Sequence, residues 1–598
     1  MTDFKLKPHP KISKPDGPVM VCILDGWGEN EYKDKFNAIE MADTPVMDSL
    51  SQKAPDYWRT VQAHGTAVGL PSDADMGNSE VGHNALGSGQ VVDQGARLVD
   101  IALENGSIFE SEGWQHIAGA VKDNTLHLIG LLSDGGVHSR YDQLIKLIAG
   151  ACERGGKKVR CHVLTDGRDV PDGSGVKFVR QLEADLADLA AKHGADLKIA
   201  SGGGRMKVTM DRYEADWGIV ERGWKAHILG EADCKMTSAV EALEKLRGDP
   251  EKPVSDQHLD PFVVVDASGA PVGPVQDGDA VVLFNFRADR MVEMSKALEY
   301  AEFDKFDRKR VPAIKFCGMM QYDGDLKLPT NYLVPPPTIN KVSGQYLVGS
   351  GVRTFACSET QKFGHVTFFW NGNRSGYFDE NLETYVEIPS DACLFNEKPD
   401  MKAREICEAA KVALKSGKFD MVRVNFANPD MVGHTGDLAA TTACCSLVDK
   451  CVGELLAVCD EVNARWLVTA DHGNADDMVQ RNKKGEPIMD PDSGKPLPLT
   501  SHTLAPVPVA IGGKGLPDGV KMRKDLPKAG LANITPTYIE LLGFQAPDHM
   551  VPTLLESGTS AAGAATTTKA EPAPGAAAAP KEAGEKKGFL CFGASKTS

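Results

Sequence analysis

The sequence contains no Cys-x-x-Cys pair, and its 13 cysteines, an odd number scattered from Cys22 to Cys591, follow no regular spacing. Both facts argue against a disulfide framework and a zinc ribbon, and predict buried, reduced thiols. There is no run of about 18 uninterrupted apolar residues, and the polar N-terminus MTDFKLKPHPKISKPDG carries no apolar signal core. Neither a spanning helix nor secretion is expected, so the sequons at Asn373 and Asn533 read as chance matches. Positive charge is in deficit: Lys+Arg 66 against Asp+Glu 83 gives a formal net charge of -17. Such a surface repels nucleic acid and anionic membranes, so an anionic substrate needs a local pocket of Arg and Lys. Also missing are any repeat of fixed period, a GxSxG nucleophile elbow and an Arg-His-Gly phosphohistidine motif. The glycines of SGGGRM, ending at Arg205 and Met206, are consecutive and do not make a GxGxxG dinucleotide fingerprint.

What is present is an ordinary globular composition, 42% hydrophobic and 25% charged, in 598 residues, more than one hydrophobic core usually spans. Short apolar runs at Val19 to Leu24, Thr125 to Leu132, Val159 to Leu164, Ala280 to Phe286, Asp420 to Phe426 and Trp466 to Thr469 predict buried strands. Between them, Ala403 to Leu414 and Thr442 to Val458 repeat apolar residues at helical spacing. The alternation predicts an α/β protein of at least two domains with mainly parallel sheets. Pro335, Pro336 and Pro337 mark a semi-rigid connector and a candidate boundary. From about Ser557 the composition collapses to Ala, Gly, Pro, Thr, Lys and Glu, which predicts a disordered tail, closed by a small apolar patch around Cys591. Docking or lipid attachment at that patch is the alternative to a plain unstructured extension.

Candidate chemistry sits at strand ends. Asp25 follows the first apolar run and precedes Gly26, so it is either a turn cap or a ligand-facing carboxylate. In Asp75-Met76-Gly77-Asn78-Ser79-Glu80-Val81-Gly82-His83 a serine stands in a Gly/Asn turn where a helix could begin, either as a helix cap or as a nucleophile beside free N–H groups. Asp430 and His434 are four apart, so one helical turn places them on one face. Asp471 and His472 follow the strand ending at Thr469, and His502 comes later. Taken singly, each cluster is more readily explained by capping or core residues than by ligands. Taken together, these Asp and His groups without any thiolate amount to the ligands of two metal sites.

The segments LDGWG at Asp25, MGNSEVGH at Ser79, SDGGVHS at His138, DGRDVP at Arg168 and Asp169, FNFRADR at Arg287 and Arg290, ETQKFGHVTFFWNG at Lys362, NPDMVGHTG at Asp430 and His434, and ADHGNAD at Asp471 and His472 resemble the cofactor-independent phosphoglycerate mutases. The resemblance runs from about residue 17 to 556 in unbroken order, and GGGRMKVTMDR, with Arg205 and Arg212 seven apart, is similar to the plant-type branch. It implies an alkaline-phosphatase-like phosphatase domain made of residues 17–94 and 338–556, a transferase domain inserted at 95–333, and a low-complexity tail at 557–598. It further implies one metal on Asp430, His434 and His502, and another on Asp25, Ser79, Asp471 and His472. Ser79 becomes the phosphorylated residue, Lys362 assists it, and His138, Arg168, Asp169, Arg205, Arg212, Arg287 and Arg290 hold substrate together with Lys362.

The implied activity is interconversion of 3-phosphoglycerate and 2-phosphoglycerate in glycolysis and gluconeogenesis, with two divalent ions and without 2,3-bisphosphoglycerate. Manganese is the expected ion, with cobalt, zinc and magnesium as alternatives. A metal-dependent phosphatase or another phosphomutase on the same scaffold is the second reading, and a non-catalytic scaffold recruiting partners through its tail the third. A cytoplasmic monomer is expected. Because metal-binding histidines must be neutral, activity is expected to fall below about pH 6.5.

Overall fold

The computed structural model describes residues 4–557, apart from 54, 55, 213, 325, 491–493 and 527. The expected tail therefore lies outside the described residues, except for Ser557.

The expected α/β architecture is present as two seven-stranded sheets. In the first, the order is Glu383–Ile388, Thr354–Glu359, Met421–Phe426, Val19–Leu24, Arg465–Thr469, Val507–Gly512 and Trp58–Val61. The first five strands run parallel and the last two join antiparallel. Val19–Leu24 is central and buried along its whole length, because its apolar run does not alternate and helices cover both faces of the sheet. Two of these helices are Ala403–Lys415 and Leu438–Glu461, the second capped by Asp437, whose side chain accepts from the Ala440 amide at 3.1 Å.

The second sheet is built from chain lying between the strands Trp58–Val61 and Thr354–Glu359 of the first. Its order is Cys234–Met236, Phe262–Val264, Asp196–Gly204, Lys158–Thr165, Leu126–Leu132, Ala280–Leu283 and Lys315–Gly318, parallel except where Asp196–Gly204 meets Phe262–Val264. Each sheet has its own hydrophobic core. Among the described residues every cysteine is a free thiol and only Cys393 is exposed, and no helix is long and apolar enough to cross a membrane.

Parallel order matters for chemistry because it brings the carboxyl ends of several strands to one edge. In the first sheet that edge carries the segments starting at Asp25, Thr360, Ala427 and Ala470; in the second, those starting at Ser133, Asp166, Arg205 and Phe284.

Candidate active site

The strand Val19–Leu24 ends in Asp25, followed by Gly26 at a φ of 80°. A Cβ on Gly26 would meet the Asp430 Cα at 2.7 Å, so only glycine lets the two strand ends approach this closely. Ser79 opens the helix Ser79–Ser88, and the side chain of Asn78 caps it by accepting from the Glu80 and Val81 amides. The cap therefore belongs to Asn78, which leaves the Ser79 hydroxyl free for other contacts. Its Oγ lies 2.5 Å from Lys362 Nζ, 3.0 Å from His472 Nε2 and 3.3 Å from Asp25 Oδ1. Lys362 comes from the helix Thr360–Gly364 and donates to both Asp25 Oδ1 and Asp430 Oδ2 at 2.6 Å. All these groups are buried.

Asp430 lies in the helix Asn428–Gly433, and its Oδ1 is 3.0 Å from His434 Nε2 and 3.2 Å from His502 Nε2. The hydrogen bonds fix the tautomers: His434 Nδ1 donates to the Thr500 carbonyl at 2.6 Å, and His502 Nδ1 to the Gly77 carbonyl at 2.8 Å. Both Nε2 atoms then present lone pairs, 3.0 Å apart and aimed at the same carboxylate. Such a cluster of acceptors is unfavourable unless a cation sits among them, so this donor set fits a divalent metal. His472 stacks on His502 with ring centroids 4.0 Å apart, and its Nε2 is 3.6 Å from Asp471 Oδ2. Asp430, His472 and His502 form one tight ligand group, and Asp25, His83 and Asp471 another.

Burial and neighbours set the protonation states. Burial, reinforced by Asp471, raises the Asp25 carboxyl to about 7 even though Lys362 pulls it down. Burial also acts on Asp430 and Lys362, but their neighbours prevail: contacts to His434 and Lys362 hold Asp430 well below the carboxylate range, and Asp25 and Asp430 raise Lys362. Burial, with the Arg168 charge, lowers His434 to about 3, and burial with His472 lowers His502. Burial thus favours the neutral, metal-binding form of both His434 and His502.

Across the cleft stand the strand ends of the second sheet. Arg205 is held by Asp166 at 2.7 Å and by Asp169, and its NH2 donates to His138 Nε2 at 2.6 Å. Arg287 Nε lies 3.1 Å from Asp289 and 3.2 Å from Glu80, which stands beside Ser79. Arg212 faces Asp289 at 3.6 Å and donates to Gln361, while Arg290 donates to the Met210 carbonyl at 2.6 Å. Arg168 NH2 reaches Met431 Sδ at 3.9 Å. The cleft is thus lined by His138, Arg168, Asp169, Arg205, Arg212, Arg287 and Arg290 facing Ser79, Lys362, Asp430, His434 and His502, with Asp25, Asp471 and His472 immediately behind.

Several residues at the site were not singled out from sequence. His83, four residues after Ser79, donates from Nδ1 to the Ser79 carbonyl at 2.8 Å and lies 3.3 Å from Asp471. Asn425 donates to Asp25 at 2.7 Å, and Asn474 to Asp430 at 3.0 Å. His365 lines the cleft, buried, with no hydrogen-bond partner for either ring nitrogen among the described residues. Burial and the Lys362 charge hold it neutral. His83 and His365 fall inside segments already notable in the sequence, but nothing in their spacing separates them from core histidines.

A serine at a helix start, bound to a buried lysine beside carboxylate and imidazole clusters shaped for metal, defines a metalloenzyme of phosphoryl chemistry. In agreement, residues 17–546 match the family described as the Metalloenzyme superfamily. The chain is 60% identical over 554 residues to a 2,3-bisphosphoglycerate-independent phosphoglycerate mutase of Mesembryanthemum crystallinum, covering 92% of this chain and 98% of the relative. It is 57% identical over 544 residues to that of Trypanosoma brucei brucei, covering 91% and 98%. A crystal structure of Leishmania mexicana phosphoglycerate mutase at low cobalt concentration superposes with a TM-score of 0.89 at 55% identity, covering 92% of this chain and 100% of that one. The chain belongs to the 2,3-bisphosphoglycerate-independent phosphoglycerate mutases, a family of metal-dependent isomerases.

Proposed function

We propose that the chain interconverts 3-phosphoglycerate and 2-phosphoglycerate with Ser79 as the transient phosphoryl acceptor. The observation that carries this reading is the placement of Ser79 Oγ, 2.5 Å from Lys362 and 3.0 Å from His472, facing a cluster of arginines. As the bond from Ser79 Oγ to phosphorus forms, the bond from phosphorus to the glycerate oxygen breaks; the proton lost by Ser79 balances the one gained by the departing hydroxyl. The glycerate stays in the cleft and turns, its other hydroxyl takes the phosphoryl group, and Ser79 regains its proton.

One metal would be held by Asp430, His434 and His502, the other by Asp25, Ser79, Asp471 and His472, with manganese the favoured ion. Bound there, divalent ions supply a lowered pKa for the serine hydroxyl and neutralise charge on the phosphoryl oxygens. Lys362 adds a donor to those oxygens. The forked guanidinium groups of Arg168, Arg205, Arg212, Arg287 and Arg290 bind carboxylate and phosphate in a bidentate manner, and His138 and Asp169 hold the glycerate hydroxyls and orient Arg205. His365 offers its unpartnered ring to the substrate as an uncharged donor and acceptor.

We further propose that residues 17–94 and 338–556 are the phosphoryl-transfer domain and 95–333 the glycerate-holding domain. Asp25, Lys362, Asp430, His434, Asp471 and His472 follow the carboxyl ends of strands of the first sheet, Ser79 opens a helix, His502 lies in the connection before Val507–Gly512, and the remaining substrate contacts follow strands of the second sheet. A cytoplasmic monomer, and a docking role for the tail, rest on the resemblance and on composition. The arginine-lined wall weighs against a simple phosphatase, which has no need to retain its leaving group. Enolase-coupled turnover of 3-phosphoglycerate, with and without 2,3-bisphosphoglycerate and a chelator, tests the proposal: activity without bisphosphoglycerate, abolished by the chelator, is expected, and phosphate release without isomerisation would overturn it.

A further inference from the structure

Beneath the substrate arginines, inside the second sheet's half of the protein, runs a buried chain of polar side chains that the reaction as described does not use. Asp279 Oδ2 lies 3.0 Å from His127 Nε2, and His127 Nδ1 lies 2.9 Å from His162 Nε2. His162 Nδ1 and His227 Nδ1 each lie 2.7 Å from Ser201 Oγ, and His227 Nε2 lies 2.9 Å from Thr209 Oγ1. Every member is buried. The chain crosses three neighbouring strands, and a register shift between Cys161 and His162 brings His162 opposite Ser201. It leaves the sheet through His227, on a π-helical turn at Trp224–Leu229, and ends on Thr209.

The protons can be placed by counting. Burial lowers all three imidazoles, His227 to about 3, so each carries one N–H. Burial opposes ionisation of Asp279, but donation from His127 and from the Gln276 and Thr125 amides keeps it a carboxylate, which accepts only. His127 must then donate from Nε2 and accept at Nδ1. His162 donates from Nε2 and accepts at Nδ1 from the Ser201 hydroxyl. Ser201, its proton committed, accepts from His227 Nδ1–H, which leaves His227 Nε2 to accept from Thr209. Only one direction satisfies every atom, and it makes the Thr209 hydroxyl a donor.

Thr209 is where this order reaches the cleft. It has a φ of 69°, a conformation that β-branched residues rarely adopt. It stands between Arg205 and Arg212, and the next carbonyl, that of Met210, accepts from Arg290 at 2.6 Å. Gly223 permits the packing, since a Cβ there would meet Thr209 Oγ1 at 2.1 Å. We propose that the chain from Asp279 through His127, His162, Ser201 and His227 to Thr209 is a positioning device that pins the Arg205–Arg212 segment and the Met210 carbonyl, so that Thr209 and His227 are positioning residues of the substrate cleft. This rests on the mutase reading of that cleft.

The test pairs Thr209→Val, which keeps shape and deletes the hydroxyl, with Thr209→Ser, which restores it. Thr209→Val should raise KM for 3-phosphoglycerate about tenfold and increase phosphate release relative to isomerisation. Its metal content should stay as in wild type, and Thr209→Ser should recover KM. An unmoved KM in Thr209→Val, or equal impairment of both variants, would overturn the proposal. A readout free of folding artefacts is 15N NMR of histidine-labelled wild type: His227 should be the Nδ1–H tautomer and His127 and His162 the Nε2–H tautomers, and the opposite tautomer at His227 would also overturn it. Wild-type turnover measured alongside separates the failures, because an inactive wild type refutes the mutase reading, whereas an active one with an unmoved Thr209→Val refutes only the positioning chain.

Discussion

Lys362→Met tests the junction between the two proposed metal sites. The ammonium group touches Ser79, Asp25 and Asp430 at 2.5, 2.6 and 2.6 Å, on a buried side chain at the cleft wall. Each contact is charge-assisted and worth about 1.5–3 kcal/mol, but the three share one proton-bearing atom and do not add. A better guide to catalysis is the loss of one preorganised donor at developing charge, about 10²- to 10³-fold in kcat. Methionine fills much the same space, so packing changes little. Stability should respond in a second, diagnostic way. Without metal, the deletion leaves Asp25 and Asp430 buried with no compensating ammonium, which costs about 3–5 kcal/mol; with metal bound, the ions hold the same carboxylates and the loss is smaller. Thermal scans should therefore show a wider gap between apo and metal-loaded protein in Lys362→Met than in wild type. Enolase-coupled turnover and metal analysis on the same samples complete the assay. A variant with full metal content and kcat within threefold of wild type would refute the role assigned to Lys362.

Arg287→Ala should raise the ratio of phosphate release to isomerisation by about 10- to 150-fold, because one lost charged partner is worth roughly 1.5–3 kcal/mol of glycerate retention; a product-partition assay reads this directly. Exhaustive chelation should abolish turnover, and added 2,3-bisphosphoglycerate should neither be required nor rescue it. Burial raises Glu540 to about 7, above its unfolded value near 4.5, so it contributes stability below about pH 4.5 that is lost as pH rises towards 7. Glu540→Gln should flatten that segment of the stability profile by an amount on the order of 1–3 kcal/mol, and an unchanged slope in denaturation at several pH values would count against it. Truncation before residue 557 should leave kcat and KM nearly unchanged, since every proposed site residue precedes it.

What could be read from sequence follows from how each element meets solvent. Val19–Leu24 and Met421–Phe426 are buried on both faces, so their apolar runs are continuous and their limits fall within a residue of the expected ones. The two antiparallel strands, Trp58–Val61 at the sheet edge and Val507–Gly512 beside it, gave no comparable signal: the first, WRTV, is half exposed, and the second carries Pro508. The spacing of Asp430 and His434 was informative because a real helical turn, Asn428–Gly433, lies beneath it. His127 and His162, by contrast, are 35 residues apart and meet only because their strands are neighbours. No local pattern marks them. The same holds for Glu80, whose partner Arg287 comes from the other sheet, and for His365, whose significance is that its nitrogens lack partners among the described residues.

The charge arrangement shows how a chain of net charge -17 can present a cationic wall without coming apart. A buried group of guanidinium ions left to itself would repel and pay a large desolvation cost. Here the wall is matched beforehand: Asp166 and Asp169 hold Arg205, while Asp289 faces Arg287 and Arg212. Arg290 is held instead by a backbone carbonyl, which orients it without cancelling its charge. The result is a set of forks already pointing into the cleft, so less side-chain entropy remains to be lost when an anion arrives. In the proposed reaction the carboxylate and phosphate of the substrate share these forks with the resident carboxylates, and Glu80 gives Arg287 a partner from the helix that carries Ser79. An arginine so placed responds both to the glycerate and to the serine that takes its phosphoryl group, and this is the coupling a transfer within one bound molecule requires.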